Sequence, residues 1–239
     1  ITAIVGLLVF SNRNSLLHFV RPVCRPQTLG RAVTNGCSEM ATALVNGIIT
    51  LMFNWTMLKY VGEDGVAAIT IISYVLAFAG SLYAGYAYGV APMLSFYYGE
   101  QNHEKLRKLV RTSLKIIGVI AAATVLVSLA VTEPLVSIFA RPGTPVYDLA
   151  VAGNRICSLA LLFVGFNIFA SGMFTALSNG LISAVLAFSR TFVFTLIAML
   201  VLPVILGVTG IWLATPAAEL AAVVLSAVML LKYRRRYCY

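Results

Sequence analysis

Long apolar blocks separated by short polar breaks dominate this chain. An apolar opening at 1–11 and a proline-containing stretch at 12–32 precede six blocks, at about 33–59, 66–98, 108–132, 150–177, 181–206 and 210–231. Each block, at about 1.5 Å rise per residue, is long enough to cross a hydrocarbon core of about 30 Å. Glycine punctuates the breaks "VGEDG", "SNG" and "LGVTG". The longer break "TEPLVSIFARPGTPVYDLAVAG" holds three prolines, and an irregular segment with one short helix is expected there. The pattern predicts an all-α polytopic membrane bundle of six full transmembrane helices, preceded by the end of a truncated one. A β-barrel would need segments of about ten residues alternating apolar and polar, and none alternates.

This divides the chain into a helix end at 1–11, a basic connector at 12–32, a six-helix lobe at 33–231 and a basic tail at 232–239. Composition agrees: 60% of residues are hydrophobic and 10% charged, with a mean hydropathy of +0.93. A soluble domain carries about 25% charged residues.

The net charge of +9 is placed for topology rather than for nucleic acid. Thirteen cations fall on one side of the predicted bundle: Arg13, Arg21, Arg25, Arg31, Lys105, Arg107, Lys108, Arg111, Lys115, Lys232, Arg234, Arg235 and Arg236. Three, Lys59, Arg141 and Arg155, fall on the other, and Arg190 lies deep inside a block. The crowded side is expected to be cytoplasmic, with the C-terminus there, in a bacterial inner membrane. "HEKLRKLVRTSLK" carries Leu106, Leu109, Val110 and Leu114 at helical spacing among its cations, which predicts a helix at the headgroup level that then turns inward. Cys24, Cys37, Cys157 and Cys238 have no metal-ligand or disulfide spacing, so no metal or cofactor is expected. Gly85 and Gly89 stand at GxxxG spacing, expected to let two helices approach closely, and Pro92 to bend that helix's end.

The first full block carries the chemistry. Asn35, Glu39, Thr42, Asn46, Thr50 and Asn54 recur every three or four residues and so share one helical face. A charge at the helix centre costs about 2.5–3.5 kcal/mol on insertion scales, so this stripe must face other helices or a wet cavity. Hydrogen bonds between helices account for the asparagines and threonines. Glu39 must be paired, protonated or wetted. Glu219, about nine residues and 13 Å into the last block, is the other acid inside a span, with Pro216 freeing a backbone carbonyl nearby. Arg190 lies at a depth similar to that of Glu39, and the two are expected to interact directly or through water. A permanent pair would be structural; a pair that opens would let Glu39 take up a proton or cation. Ion-coupling candidates are therefore Glu39, Arg190 and Glu219. Tyr74, Tyr86, Phe166 and Asn167 are candidate substrate contacts, because aromatic faces attract cations.

Several stretches resemble the multidrug and toxic compound extrusion (MATE) transporters, in their bacterial drug-exporter branch. They are "NGCSEMATALVNGI", "YVGEDGVAAITIISYV", "GYAYGVAPMLSFYYGEQNHEKLRKL", "SGMFTALSNGLISAVLAFSRTFVF" and "LPVILGVTGIWLATPAAE", which together run from about 30 to 231. The resemblance is to that family's C-terminal half. It implies one lobe of a two-lobe antiporter, alternating between inward and outward openings and driven by protons or sodium. The expected substrates are amphipathic, often cationic small molecules, and the expected partners are the N-terminal lobe and membrane lipid. In that pattern Glu39 matches the acid early in the first helix of the second lobe, and Arg190 and Pro203 also match.

The alternatives are a lipid-linked oligosaccharide flippase of related helical plan and a homodimerising half-transporter. A flippase should line its cavity with several cations to hold diphosphate, whereas Arg190 alone lies deep inside a block, away from its ends. An enzyme is not expected: paired intramembrane aspartates, HExxH and a Ser–His arrangement are all missing from the sequence, and His18 and His103 lie in basic interfacial stretches.

Overall fold

The structure is a computed structural model that describes residues 44–237, all belonging to the unit that begins at Leu44. The expected helix end and connector, and the stripe residues Asn35, Glu39 and Thr42, lie outside the described residues. Helix α1 is described over 44–60. It is followed by α2 (Glu63–Gly99), α3 (His103–Ala130), the short α4 (Thr132–Ser137), α5 (Pro145–Cys157), a 3-10 turn (Ser158–Ala160) and α6 (Leu161–Ala176). Then come α7 (Gly180–Phe188), a π-helical turn (Ser189–Phe194), α8 (Thr195–Leu206) and α9 (Val208–Tyr237). Among the described residues, five helices are long and apolar enough to cross a membrane: Glu63–Gly99, His103–Ala130, Pro145–Ala176, Gly180–Leu206 and Val208–Arg234. The first predicted span is represented by 44–60.

Local chemistry sets the boundaries. Gly62, at φ +94°, takes a left-handed turn that a side chain would strain, and Glu63 and Asp64 then sit at the positive end of the α2 dipole. The Asn102 and Asn179 side chains cap α3 and α7 by accepting from the backbone N–H of Lys105 and Ile182. Thr144 caps α5, with Pro145 directly after it.

Two expectations change. "HEKLRKLVRTSLK" does not form a separate surface helix; it is the first half of an unbroken α3, whose 28 residues reach about 42 Å. That exceeds the hydrocarbon thickness, so the cationic turns reach the headgroup layer without a bend. The stretch from 232 is not a separate tail, because α9 continues to Tyr237, and Tyr237 is buried.

α6 is the hub of the bundle, packing on α2, α3, α7 and α9. Two glycines allow the close approaches around this span. A Cβ on Gly165 would lie 2.6 Å from the Tyr83 ring, and one on Gly153 would lie 2.9 Å from the Trp212 ring. The Tyr83 hydroxyl donates to the Leu161 carbonyl at 2.9 Å and also meets the Thr124 hydroxyl at 2.5 Å. By contrast, a Cβ on Gly85 or Gly89 would meet nothing within 4 Å, so the GxxxG face packs on no described helix.

Candidate functional site: a part-buried ion pair at mid-membrane depth

Three spans bring polar side chains to one level. Arg190 stands ten residues after Gly180, Glu219 eleven after Val208, and Asn167 nine before Ala176. At about 1.5 Å per residue each lies some 14–17 Å from a helix end, about halfway through the bilayer.

The groups form one connected network. Arg190 Nε donates to Glu219 Oε1 at 2.8 Å. Asn167 Nδ2 donates to Glu219 Oε2 at 2.7 Å and to the Glu219 carbonyl at 3.0 Å. Ser226 Oγ donates to Asn167 Oδ1 at 2.9 Å. Asn167, Glu219 and Ser226 are all buried. Both carboxylate oxygens are thus engaged, one by a cation and one by a neutral amide, which is how a charge persists at low dielectric.

Backbone irregularities place these groups. Arg190 lies in the π-helical turn Ser189–Phe194, where the Thr195 hydroxyl donates to the Arg190 carbonyl at 3.1 Å. Such turns widen a helix locally and recur at functional sites. Pro216, one turn before Glu219, has no N–H to offer the Trp212 carbonyl. Cys157 Sγ–H takes up that carbonyl at 3.3 Å, tying α5 to α9.

A second feature lies at the end of the bundle opposite the α3 cations. A cavity of about 750 Å³ opens between α1, the start of α2 and the α4–α5 connection. Asn54, Trp55, Glu63, Thr70, Tyr74 and Phe139 are on its wall. Its size falls in the range of small-molecule sites.

The structure distributes the sequence candidates unevenly. Arg190, Glu219 and Asn167 come together; Asn54 and Tyr74 share the cavity. Asn46 and Thr50 are exposed on α1, where the Thr50 hydroxyl bonds back to the Asn46 carbonyl. Tyr86 and Phe166 pack against the buried cluster around Phe169 and Phe174. Glu39 lies outside the described residues, and the described partner of Arg190 is Glu219. Ser226 is not among the sequence candidates, although its position seven residues after Glu219, two turns on the same face, is a readable signal.

The MatE family model matches residues 40–201, more than half of the chain. The chain belongs to the MatE family. Among solved structures, it is similar to an inward-facing multidrug resistance MATE family transporter of the MOP superfamily, with a TM-score of 0.84 and 20% identity over 99% of this chain and 54% of that one. A MOP superfamily transporter from Pyrococcus furiosus gives a TM-score of 0.80 and 19% identity, covering 99% of this chain and 53% of its own. The Vibrio cholerae MATE transporter VcmN in its bent form gives 0.75 and 18%, covering 83% and 45%. None of the curated proteins matches. At these identities the likeness establishes the fold, and the MatE chain spans about half the length of the structures it resembles. Its apolar helices and its family make it a multi-pass membrane protein.

Proposed function

We propose that the chain is the second lobe of an ion-coupled antiporter, which exports amphipathic, often cationic small molecules by alternating access in partnership with an N-terminal lobe. The reading includes a bacterial inner membrane and a cytoplasmic C-terminus. The observation that carries it is the Arg190–Glu219 pair, held by Asn167 and Ser226 at mid-membrane depth. An acid and a base inside spans mark ion pathways more often than they mark stability, since hydrophobic neighbours of similar volume would hold the helices at least as well.

In this reading Arg190 is a tethered cation occupying Glu219. A proton or sodium ion arriving at the carboxylate displaces the guanidinium, weakens the link between the fifth and sixth spans, and favours one opening of the transporter over the other. Glu39 would be a second acid on the same route. The cavity beside Asn54 and Tyr74 offers aromatic faces from Trp55 and Phe139 and the Glu63 carboxylate, a combination suited to an organic cation.

The test is ethidium efflux from vesicles holding the complete two-lobe protein, with proton and sodium gradients imposed separately. The charge-free variant Arg190→Met/Glu219→Gln should fold and bind ethidium, yet lose gradient-driven export. Wild-type export by that variant would defeat the assignment.

A further inference from the structure

The start of α3 and the end of α9, far apart in sequence, meet at one buried cluster. Leu106 and Val110 share a buried cluster with Tyr237. The Tyr237 ring meets Tyr98 and Phe174 edge-on, and Asn179 Nδ2 donates to its hydroxyl at 2.7 Å. The same end of the lobe carries much positive charge. Lys105, Lys108, Arg111 and Lys115 are exposed on α3, and Lys232 and Arg236 are exposed on the last turns of α9. Although Glu100 and Glu104 lie in the α2–α3 hairpin, none of these six cations forms an ion pair among the described residues.

Three of them instead stand over tyrosine rings: Lys105 over Tyr97 at 5.6 Å, Lys232 over Tyr233 at 5.9 Å and Arg236 over Tyr237 at 5.8 Å. A cation on an aromatic face keeps N–H donors available for an anion. Like charges at one end of a lobe repel one another, and at a membrane surface the repulsion is less damped than in bulk water. The surroundings say what relieves it. Further along α3, Ile116 and Val119 are exposed apolar side chains. A ligand on this face therefore meets anion-binding groups first and hydrocarbon-facing ones next, which is the order of groups in a phospholipid.

We propose that this end of the lobe is a docking surface for anionic phospholipid headgroups, which supply the counter-charge to the cations that α3 and α9 carry around their shared cluster. The surface is independent of the Arg190–Glu219 site and of any transport reading.

The experiment is thermal unfolding of the detergent-solubilised protein titrated with phosphatidylglycerol, phosphatidylcholine or inorganic phosphate, with bound lipid counted by native mass spectrometry. Phosphatidylglycerol should bind and raise the midpoint, while phosphatidylcholine and phosphate should not, and added salt should weaken the effect. Each surface Lys or Arg contributes about a fivefold factor to binding anionic lipid, so Lys108→Gln/Arg111→Gln/Arg236→Gln should lower affinity roughly 100-fold. Lys59→Gln/Arg141→Gln, at the other end, should respond like the wild type. The proposal is overturned by an equal response to both lipids, by phosphate matching phosphatidylglycerol, or by a triple variant that binds like the wild type. If the triple variant does not fold, the lipid and salt comparison on the wild type decides alone.

Discussion

Arg190 reaches Glu219 across the seam between the fifth and sixth apolar spans, Nε to Oε1, at 2.8 Å. Both side chains are mostly enclosed, with 24% and 11% of their surfaces exposed. Neither charge would be stable there without the other.

Removing one partner therefore strands its counterpart. Glu219→Gln or Arg190→Ala alone is expected to lower stability by about 3–5 kcal/mol, seen as a fall in the thermal midpoint in detergent. The neutral double variant Arg190→Met/Glu219→Gln should recover most of that loss. Additive losses in the double variant would mean that the two charges do not sense each other.

Glycines divide into two kinds. Gly153→Ala and Gly165→Ala push a methyl group into the Trp212 and Tyr83 rings, and each should cost about 1–3 kcal/mol. Gly85→Ala and Gly89→Ala meet open space within the lobe and should leave its stability unchanged or slightly raised. Equal midpoints for all four variants would contradict the packing described around α6.

How much of this was legible in the sequence depends on what a linear pattern can encode. The five spans found among the described residues follow the apolar blocks to within a few residues, because hydrocarbon thickness fixes a minimum length. The depths of Arg190 and Glu219 could likewise be counted along their helices. Their adjacency could not, because depth says nothing of which helix stands beside which. Depth alone therefore pairs Arg190 with Glu39, at similar depth, whereas its described partner is Glu219. Asn167 stands among aromatic residues in sequence, and the structure turns its side chain to the sixth span, a direction that sequence spacing does not encode. Charge clustering on α3 was plain; its continuity with the span was not, since a basic amphipathic stretch looks alike lying on a membrane or extending out of it.

The Cys157–Trp212 contact predicts an unusual substitution pattern. Cys157→Ser keeps a donor for the carbonyl that Pro216 leaves open and should be nearly neutral. Cys157→Val removes the donor and should cost about 1 kcal/mol or more. With 1% of its surface exposed, Cys157 should resist a membrane-permeant maleimide until the protein is denatured, and mass spectrometry of the labelled chain checks this.

The end of α9 offers a milder test. Tyr237→Phe keeps the ring in its aromatic pocket and loses only the bond from Asn179, a change of about 0.5–1.5 kcal/mol. Hydrogen exchange over 230–237 should quicken, while the mid-span amides around Glu219 keep their protection.

The wide turn at Ser189–Phe194 has a consequence for the whole fifth span. A loop of the spiral that holds one residue too many sets back everything after it by about 100° relative to an unbroken helix. Before it, Leu181, Val185 and Phe188 point outward; after it, Leu200, Val201 and Val204 do. Deleting a single residue from this stretch would swing one of those oily flanks inward or turn the guanidinium out toward the acyl chains. The spare residue is what allows a single rod to present grease to its surroundings along its length and still aim one cation at its neighbour.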